Sequence, residues 1–350
     1  MKLLKQIFFI FSVFVLSLFG IYSVIIFAPN INSAATADTN NSSVFSLSEN
    51  EEENVSPNSS VSSAASPDKE KSNSSSSTVA VQADNADAKG KVITKSVGFS
   101  SGNLKYSYIS VNNTTGLSIN LKSEFERKLN IKLADTKSPQ VLIVHTHTTE
   151  SYLSEKRDYY TEADAARSTD DSKNLIAVGK ILKSGLEANG IGVVHATEKH
   201  DYPEYTGSYS RAAVTINKYL KKYPTIKFVI DLHRDAMMDN NGNKTALVSK
   251  INGQNAAQVM IVAGCQNGGV TGFPDWRENF SLAVKLQQTM ESNYKGLARP
   301  ILFTNRKYNQ HLTTGSLLIE CGTDVNTLDE AKYSALLLSE AISKTLKSLK

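Results

Sequence analysis

The chain has 350 residues, of which 40% are hydrophobic and 21% are charged, and its formal net charge is +4. This length allows two domains, although the first part of the chain lacks the composition of a folded domain. The small net charge, without a basic run interleaved with aromatic residues, argues against a nucleic-acid-binding protein.

The N-terminal segment predicts a membrane anchor. Lys2 and Lys5 precede an apolar run over residues 7–28, which at about 1.5 Å per residue is long enough to cross a hydrocarbon layer of about 30 Å. A cleavable signal peptide is the alternative, since residues 35–37 have a small-x-small form, but the run exceeds the usual h-region of about 7–15 residues. We therefore predict that residues 1–29 anchor the chain and that the remainder lies outside the cytoplasm.

The next two segments differ in composition. Residues 30–90 are rich in Ser, Asn, Ala and acidic residues and nearly free of large apolar ones, so they cannot bury enough surface to offset chain entropy. We predict a disordered tether that acts as a passive spacer. Residues 91–137 alternate in polarity and then predict a short helix over 118–130, which indicates a small extension packed on the edge of the main domain.

Residues 138–350 alternate between apolar strands and amphipathic helices. Strands are predicted at 141–144, 190–194, 227–232, 257–263, 301–303 and 316–319, and helices at 173–189, 208–222, 276–294 and 327–349. This alternation is typical of an α/β fold with a mostly parallel twisted sheet and helices on both faces. Cys265 and Cys321 lack zinc-type spacing. They form either a disulfide or two buried thiols, and we favour the thiols.

Three predicted strands end in a group that can bind a metal or move a proton. His145 and His147 follow the first strand, His233 ends the third, and Glu320 ends the last. In an open α/β sheet, ligands gather outside the carboxyl ends of the strands. A lone histidine there is more often structural, but the cluster favours a zinc site of a hydrolase. His145 and His147 point the same way if the strand is regular, and only one of them is expected to bind the metal directly.

The third zinc ligand is open between two carboxylates. Hydrolytic zinc usually takes three protein ligands and leaves a position for water. Glu150 lies three residues after His147, and Asp171 stands just before a predicted helix, where an N-cap is its alternative role. We favour Glu150.

Glu320 is the predicted general base and acid, because a carboxylate that leaves a buried strand is costly unless something compensates its charge. An ion pair with Arg211 or Arg234 is the alternative explanation for Glu320. These two arginines are also candidates for stabilising an oxyanion or binding substrate carboxylates. Residues 201–211, with Tyr209 and Arg211, predict a substrate rim, whereas 239–243 predict a simple turn.

Three segments carry a resemblance to a known family. Residues 141–151, 231–236 and 319–326 resemble the motifs of the zinc-dependent N-acetylmuramoyl-L-alanine amidases. Two motifs narrow the resemblance to the stage II sporulation protein P family: His-Thr-His-Thr-Thr-Glu-Ser-Tyr at 145–152 and His-Arg-Asp at 233–235. The resemblance covers residues 140–350, and an N-terminal anchor with a long tether fits the same family.

The resemblance implies roles for particular residues. His147 takes the place of the histidine in the amidase motif Asp-Pro-Gly-His, His233 that of the histidine in Ser-Ile-His-x-Asn, and Glu320 that of the catalytic glutamate in Glu-x-Gly-x-x-x-Asn. The chain departs from the general amidases because residues 144–146 replace Asp-Pro-Gly and because Asp171 falls near the place where their third ligand, a glutamate, opens the first helix.

The resemblance also implies an activity and a setting. The expected reaction is zinc-dependent cleavage of the amide between N-acetylmuramic acid and L-alanine of the peptidoglycan stem peptide. The resemblance also implies endopeptidase action on peptide cross-links. It implies partnership with stage II sporulation proteins D and M during engulfment, in the space between the mother cell and forespore membranes. The alternatives are a catalytically silent wall-binding or complex-organising module, which bound zinc would argue against, and another metallohydrolase such as a deacetylase.

Overall fold

The computed structural model describes residues 87–134 and 137–349. The predicted anchor at 1–29 and nearly all of the predicted tether at 30–90 lie outside the described residues. Within the described ranges, no helix is both long enough and apolar enough to cross a membrane.

The described residues after 137 form strands and helices close to those predicted, with three further strands, β5, β8 and β9, and the preceding segment adds β1, β2 and β3. The strands are β1 (Ala88–Lys95), β2 (Leu104–Tyr106), β3 (Ile109–Asn113), β4 (Val141–Val144), β5 (Tyr159–Thr161), β6 (Val193–His195), β7 (Phe228–Asp235), β8 (Lys244–Ile251), β9 (Gln254–Ala257), β10 (Val259–Gly264), β11 (Ile301–Thr304) and β12 (Ser316–Thr323). The α-helices are α1 (Leu121–Glu126), α2 (Leu175–Ala188), α3 (Ser208–Lys222), α4 (Trp276–Asn293) and α5 (Leu328–Ser348). The predicted helix at 118–130 forms only over α1.

The strands build two mixed sheets rather than the mostly parallel sheet that we predicted. The larger sheet has the order β2-β3-β11-β10-β12-β7-β4-β6. Its strands β12, β7, β4 and β6 run parallel, whereas β10 runs antiparallel to β12, and β2 antiparallel to β3. The smaller sheet, β5-β1-β8-β9, is mixed as well.

The hairpin of β8 and β9 explains why β10 is antiparallel to β12 and the large sheet is mixed. A parallel neighbour needs a crossover of a dozen or more residues, usually a helix. Between β7 and β10 the chain instead forms the antiparallel pair β8–β9 and no helix. It therefore re-enters the large sheet at the same end at which β7 left it, with Val259 opposite Cys321, so that β10 runs antiparallel to β12.

Helices cover both faces of the large sheet. On one face α2 packs against α5, where a Cβ on Gly185 would lie 2.0 Å from Ser339 Oγ, so the close approach requires glycine. α2 begins at Asn174, whose side chain accepts a hydrogen bond from Ile176 N. On the other face Ile216 of α3 packs with Leu142 and its neighbours. This layering leaves the carboxyl ends of β4, β7 and β12 at one edge of the sheet.

The segment at 91–137 contributes strands to both sheets. β1 lies between β5 and β8 in the small sheet, while β3 pairs with β11 and β2 is the outermost strand of the large sheet. The turn at 239–243 is present and joins β7 to β8. Cys265 and Cys321 are both buried and unbridged, as predicted.

Candidate active site

A cleft with a volume of about 780 Å³ lies at the carboxyl ends of β4, β7 and β12. Its walls come from the loop after β4, the start of α3, the end of β7, the end of β12 and the loop after β11. Several residues predicted from the sequence line it together: His147, Glu150, Tyr209, His233, Arg234 and Glu320. The tertiary structure thus brings most of the predicted chemistry to one place.

His147 is fixed by aromatic contacts. Its ring stacks on Tyr205, with the ring centroids 4.8 Å apart, and meets His233 edge-on at 5.3 Å. The guanidinium of Arg167 covers the Tyr205 ring at 4.5 Å from its centroid, and Arg167 is in turn paired with Asp201. The two imidazoles from β4 and β7 are therefore neighbours with defined orientations.

Asp231 orients His233. The Nε2 atom of His233 lies 3.0 Å from Asp231 Oδ1, while its Nδ1 lies 3.8 Å from Glu150 Oε2. Asp231 also accepts hydrogen bonds from the backbone N–H of Thr146, at 2.8 Å, and from its hydroxyl, at 2.6 Å. A carboxylate behind an imidazole fixes the ring and its tautomer. Here the ion pair places Nε2 of His233 beside Asp231 and leaves Nδ1 facing Glu150.

The buried charges of the cleft favour a cation. Burial disfavours a charged imidazole, yet Asp231, Glu150 and Glu320 outweigh burial and raise the pKa of His233 to about 10. Burial also raises the pKa of the Glu320 carboxyl, to about 8, and Asp235 and Glu150 add to this effect. The carboxylates of Asp231, Glu150 and Glu320 therefore surround His233 and would stabilise a positive group beside its ring.

Glu150 and Arg234 hold the loops around the cleft. Glu150 is 5% exposed and accepts a hydrogen bond from the backbone N–H of Arg234 at 3.1 Å. The guanidinium of Arg234 donates to the carbonyl oxygens of Ser151 and Ala166. Arg234 thus lines the cleft, but much of its hydrogen-bonding capacity is spent on the loop after β4.

Arg299 is a site residue that the sequence analysis missed. It is 1% exposed, and its NH1 group donates to Asp235 Oδ2 at 2.8 Å. Its positive charge also opposes the pKa increase of Glu320. The signal was available, because an arginine inside the apolar stretch 297–303 must find a buried partner. The sequence did not reveal that Asp235 is this partner.

His145 lies apart from the cleft lining. Its Nδ1 is 2.9 Å from the carbonyl oxygen of Leu232, and its Nε2 is 2.8 Å from His195 Nε2. Because a carbonyl only accepts, Nδ1 of neutral His145 carries the proton and Nε2 accepts from His195. Both ring nitrogens of His145 are therefore engaged within the protein. A Cβ on Gly179 of α2 would come within 3 Å of both rings, so the pair needs glycine beside it.

The His145–His195 pair is expected to destabilise the protein in mild acid. Burial lowers the pKa of His145 to about 3, helped by His195, and lowers the pKa of His195 to about 4, helped by Lys180 and Lys183. The unfolded chain binds these protons near pH 6.5 and the folded chain does not, so the free energy of unfolding falls as the pH drops below 6.5.

The size of this effect follows from 1.36 kcal/mol per pH unit, which gives up to about 2 kcal/mol for each histidine between pH 6.5 and 5. Urea denaturation at pH 7 and pH 5 measures it. His195→Asn is expected to remove about half of the difference that the pair produces. An unchanged pH dependence in this variant would show that the pair does not stay neutral.

Two other predicted residues also lie outside the cleft lining. Asp171 is paired with Lys199, Nζ to Oδ1 at 2.6 Å, and its side chain is 43% exposed. Arg211 donates to the backbone carbonyls of His200, Thr206 and Glu204, so its guanidinium secures the loop before α3. Neither contributes a group to the wall that contains His147 and His233.

The side chains of the cleft include the types of ligand that zinc takes in proteins. Within residues 87–134 and 137–349, no group of three or more His, Cys, Asp or Glu side chains is arranged to hold a metal as it stands. Even so, His147, His233 and Glu150 are the imidazole and carboxylate ligands that zinc takes in hydrolases. Asp231 supplies the supporting carboxylate. Glu320 Oε2 is buried and has no hydrogen-bond partner among the described residues, as expected of a group that acts on a ligand.

Comparison with known proteins identifies relatives of this chain. Stage II sporulation protein P of Bacillus subtilis (strain 168) is 30% identical over 215 residues, which cover 58% of this chain and 50% of the relative. The match thus spans about half the length of that curated relative.

Similar solved structures include N-acetylmuramoyl-L-alanine amidase AmiC2 of Nostoc punctiforme, with 15% identity and a TM-score of 0.34 over 61% of this chain and 97% of that one. The CwlD amidase from Clostridioides difficile in complex with the GerS lipoprotein is 10% identical, with a TM-score of 0.36 over 60% and 98%. The model of the stage II sporulation protein P (SpoIIP) family matches residues 23–343, and the chain therefore belongs to this family.

Proposed function

We propose that this protein is a zinc-dependent peptidoglycan amidase that cleaves the bond between N-acetylmuramic acid and L-alanine of the stem peptide during sporulation. The observation that supports this most is the meeting of His147, His233 and Glu150 in one cleft beside the buried carboxyl of Glu320. Membership in the family supports the sporulation setting.

In this proposal His147, His233 and Glu150 hold the zinc ion. Bound zinc polarises the scissile carbonyl and lowers the pKa of water toward about 7. Glu150 is chosen over Asp171 because only Glu150 lines the cleft and approaches His233 Nδ1. His145 is left out because both of its ring nitrogens are engaged elsewhere.

Glu320 moves the proton. Its carboxylate takes a proton from the attacking water and delivers it to the nitrogen of the leaving amine. Burial raises the pKa of Glu320 in the metal-free protein to about 8, and the charge of a bound cation would lower this pKa so that the carboxylate can accept the proton. Asp231 keeps His233 in one orientation throughout. Arg234 lines the cleft, but its guanidinium donates to backbone carbonyls as that of Arg211 does, so neither arginine is assigned to the oxyanion.

The setting is part of the same proposal. We place residues 1–29 in the membrane and the cleft in the space between the mother cell and forespore membranes, with stage II sporulation proteins D and M as partners in engulfment. Endopeptidase cleavage of peptide cross-links is included. These points are supported by the N-terminal composition and by the family.

Metal removal tests the proposal. We expect the full chain to release intact stem peptides from purified peptidoglycan, a chelator to abolish the release and added zinc to restore it, as read by mass spectrometry. His147→Ala and His233→Ala are expected to lose bound zinc, whereas the control His195→Asn keeps about one zinc per chain. Zinc binding without cleavage would favour the catalytically silent wall-binding module, and cleavage that survives chelation would exclude the zinc mechanism.

A further inference from the structure

Two positive side chains in the cleft wall have no partner among the residues that the structure describes. Arg306 and Lys307 follow β11 and line the cleft. Among residues 87–134 and 137–349, neither side chain makes an ion pair or hydrogen bond with another residue. The other cations of the lining, Arg167 and Arg234, are bound to Asp201 and to backbone carbonyls. Arg306 and Lys307 are therefore the charges left for a ligand.

The loop that carries them is held in place. Tyr308 and Asn309 both adopt the left-handed backbone region, with φ of 46° and 56°, which costs energy for residues other than glycine. Asn309 Nδ2 donates to the carbonyl of Tyr209 at 2.8 Å. Gln310 accepts from Gly264 N at 2.9 Å and donates to the carbonyl oxygen of Val262. The packing thus keeps Arg306 and Lys307 at a fixed place in the cleft.

The strand register gives the distance between Glu320 and the end of β11, just before Arg306 and Lys307. Leu318 is paired with Val262, Gly264 with Thr304, and Thr304 therefore lies two strands from β12 and four residues back from Glu320. With about 3.3 Å per residue and about 4.8 Å per strand, the Cα atoms of Glu320 and Thr304 are roughly 16 Å apart. Leu318 and Val262 line the cleft between them. An extended peptide of about five residues spans this distance.

We propose that Arg306 and Lys307 form a subsite that binds a carboxylate of the peptide, about four to five residues from the bond cleaved at Glu320. The substrate class, an uncapped peptidoglycan stem peptide with free carboxyl groups, rests on the proposed function. The subsite takes the place that Arg211 cannot fill, since Arg211 is committed to backbone carbonyls. Positive side chains without internal partners bind such a group through charge-assisted hydrogen bonds.

Binding to the full chain tests the subsite without turnover. The probes are a synthetic N-acetylmuramoyl tetrapeptide with all its carboxyls free and the same molecule with all of them amidated, titrated into the zinc-loaded Glu320→Gln protein. We expect the wild-type loop to prefer the free acid. Adding Arg306→Gln and Lys307→Gln is expected to raise the Kd of the acid about tenfold and to leave the Kd of the amide unchanged. The matched control, Lys105→Gln with Lys250→Gln, removes two cations outside the cleft lining and changes neither.

The outcomes separate the subsite from the amidase. Equal Kd values for acid and amide, equal Kd values with and without Arg306 and Lys307, or no binding of either probe would overturn the subsite. A glycerol-phosphate polymer serves as a second anionic competitor. If it displaces the amidated probe as well as the free-acid probe from the protein, the assignment of the subsite to a peptide carboxylate would be overturned. If the acid preference depends on the two side chains while the wild-type chain releases no stem peptide, the amidase proposal fails and the subsite stands.

Discussion

Glu320→Gln is expected to lower kcat/KM for stem-peptide release by at least about 10³-fold, within the range that a positioned general base contributes. The amide cannot accept the proton from water or return it to the amine. The fold is expected to persist: with a pKa of about 8 against about 4.5 in the unfolded chain, the ionised carboxyl opposes folding above pH 4.5, and this penalty is complete by about pH 8. In the metal-free protein, glutamine removes that penalty, so the free energy of unfolding should stay equal or rise.

A matched control is Glu291→Gln. Glu291 is also a buried glutamate whose pKa is raised by burial, but it accepts hydrogen bonds from the backbone of Gly296 and Ala298 and does not line the cleft. The Glu291→Gln variant should therefore retain the wild-type kcat/KM for stem-peptide release. Steady-state kinetics, urea denaturation and zinc content together measure the effect. Activity within tenfold of wild type for Glu320→Gln, with zinc bound, would place the general base on another residue.

Arg299→Leu is expected to lower the free energy of unfolding by about 3–5 kcal/mol, the range for breaking a buried ion pair by removing one partner. Asp235 would be left 5% exposed without its cation. Glu320 would also lose a positive neighbour, so its pKa should rise further and the acid limb of the pH–activity profile should move to higher pH. Urea denaturation at pH 7 measures the stability, and the pH profile of kcat/KM measures the second effect.

The double variant with Asp235→Asn distinguishes pairing from packing. If the loss comes from the unpaired carboxylate, the double variant should recover much of the stability, and the cycle should show a coupling of several kcal/mol. Arg277→Leu is the control: Arg277 is paired with Glu124, but its side chain is 43% exposed, so the expected loss is at most about 1 kcal/mol. Equal losses for Arg299→Leu and Arg277→Leu would show that burial of the Arg299 pair has no special role.

Much of the fold can be read from the chain because local patterns decide it. The apolar runs that become β4, β7, β10, β11 and β12, and the periodic segments that become α2 to α5, bury the same faces wherever they dock. β5, β8 and β9 were missed because their residues are mixed in polarity, with β8 half-buried along its length. Without that hairpin, the antiparallel course of β10 could not be predicted.

The sequence by itself also indicated that His147, His233 and Glu320 lie toward the carboxyl ends of buried strands, where polar residues reach the sheet edge. In the structure β7 and β12 continue past His233 and Glu320, to Asp235 and Thr323. Only the tertiary structure separated His145 from His147. The strand ends at Val144 and a turn follows, so the two-residue alternation of a strand no longer applies to their side chains.

The partners were likewise decided by the tertiary structure. Glu150 in place of Asp171, Thr146 beside Asp231, and Arg299 behind Asp235 depend on contacts between segments that are far apart along the chain, and no local pattern encodes which buried charge meets which. Composition requires that a buried charge finds a partner, but only the packing of the sheets and loops selects it.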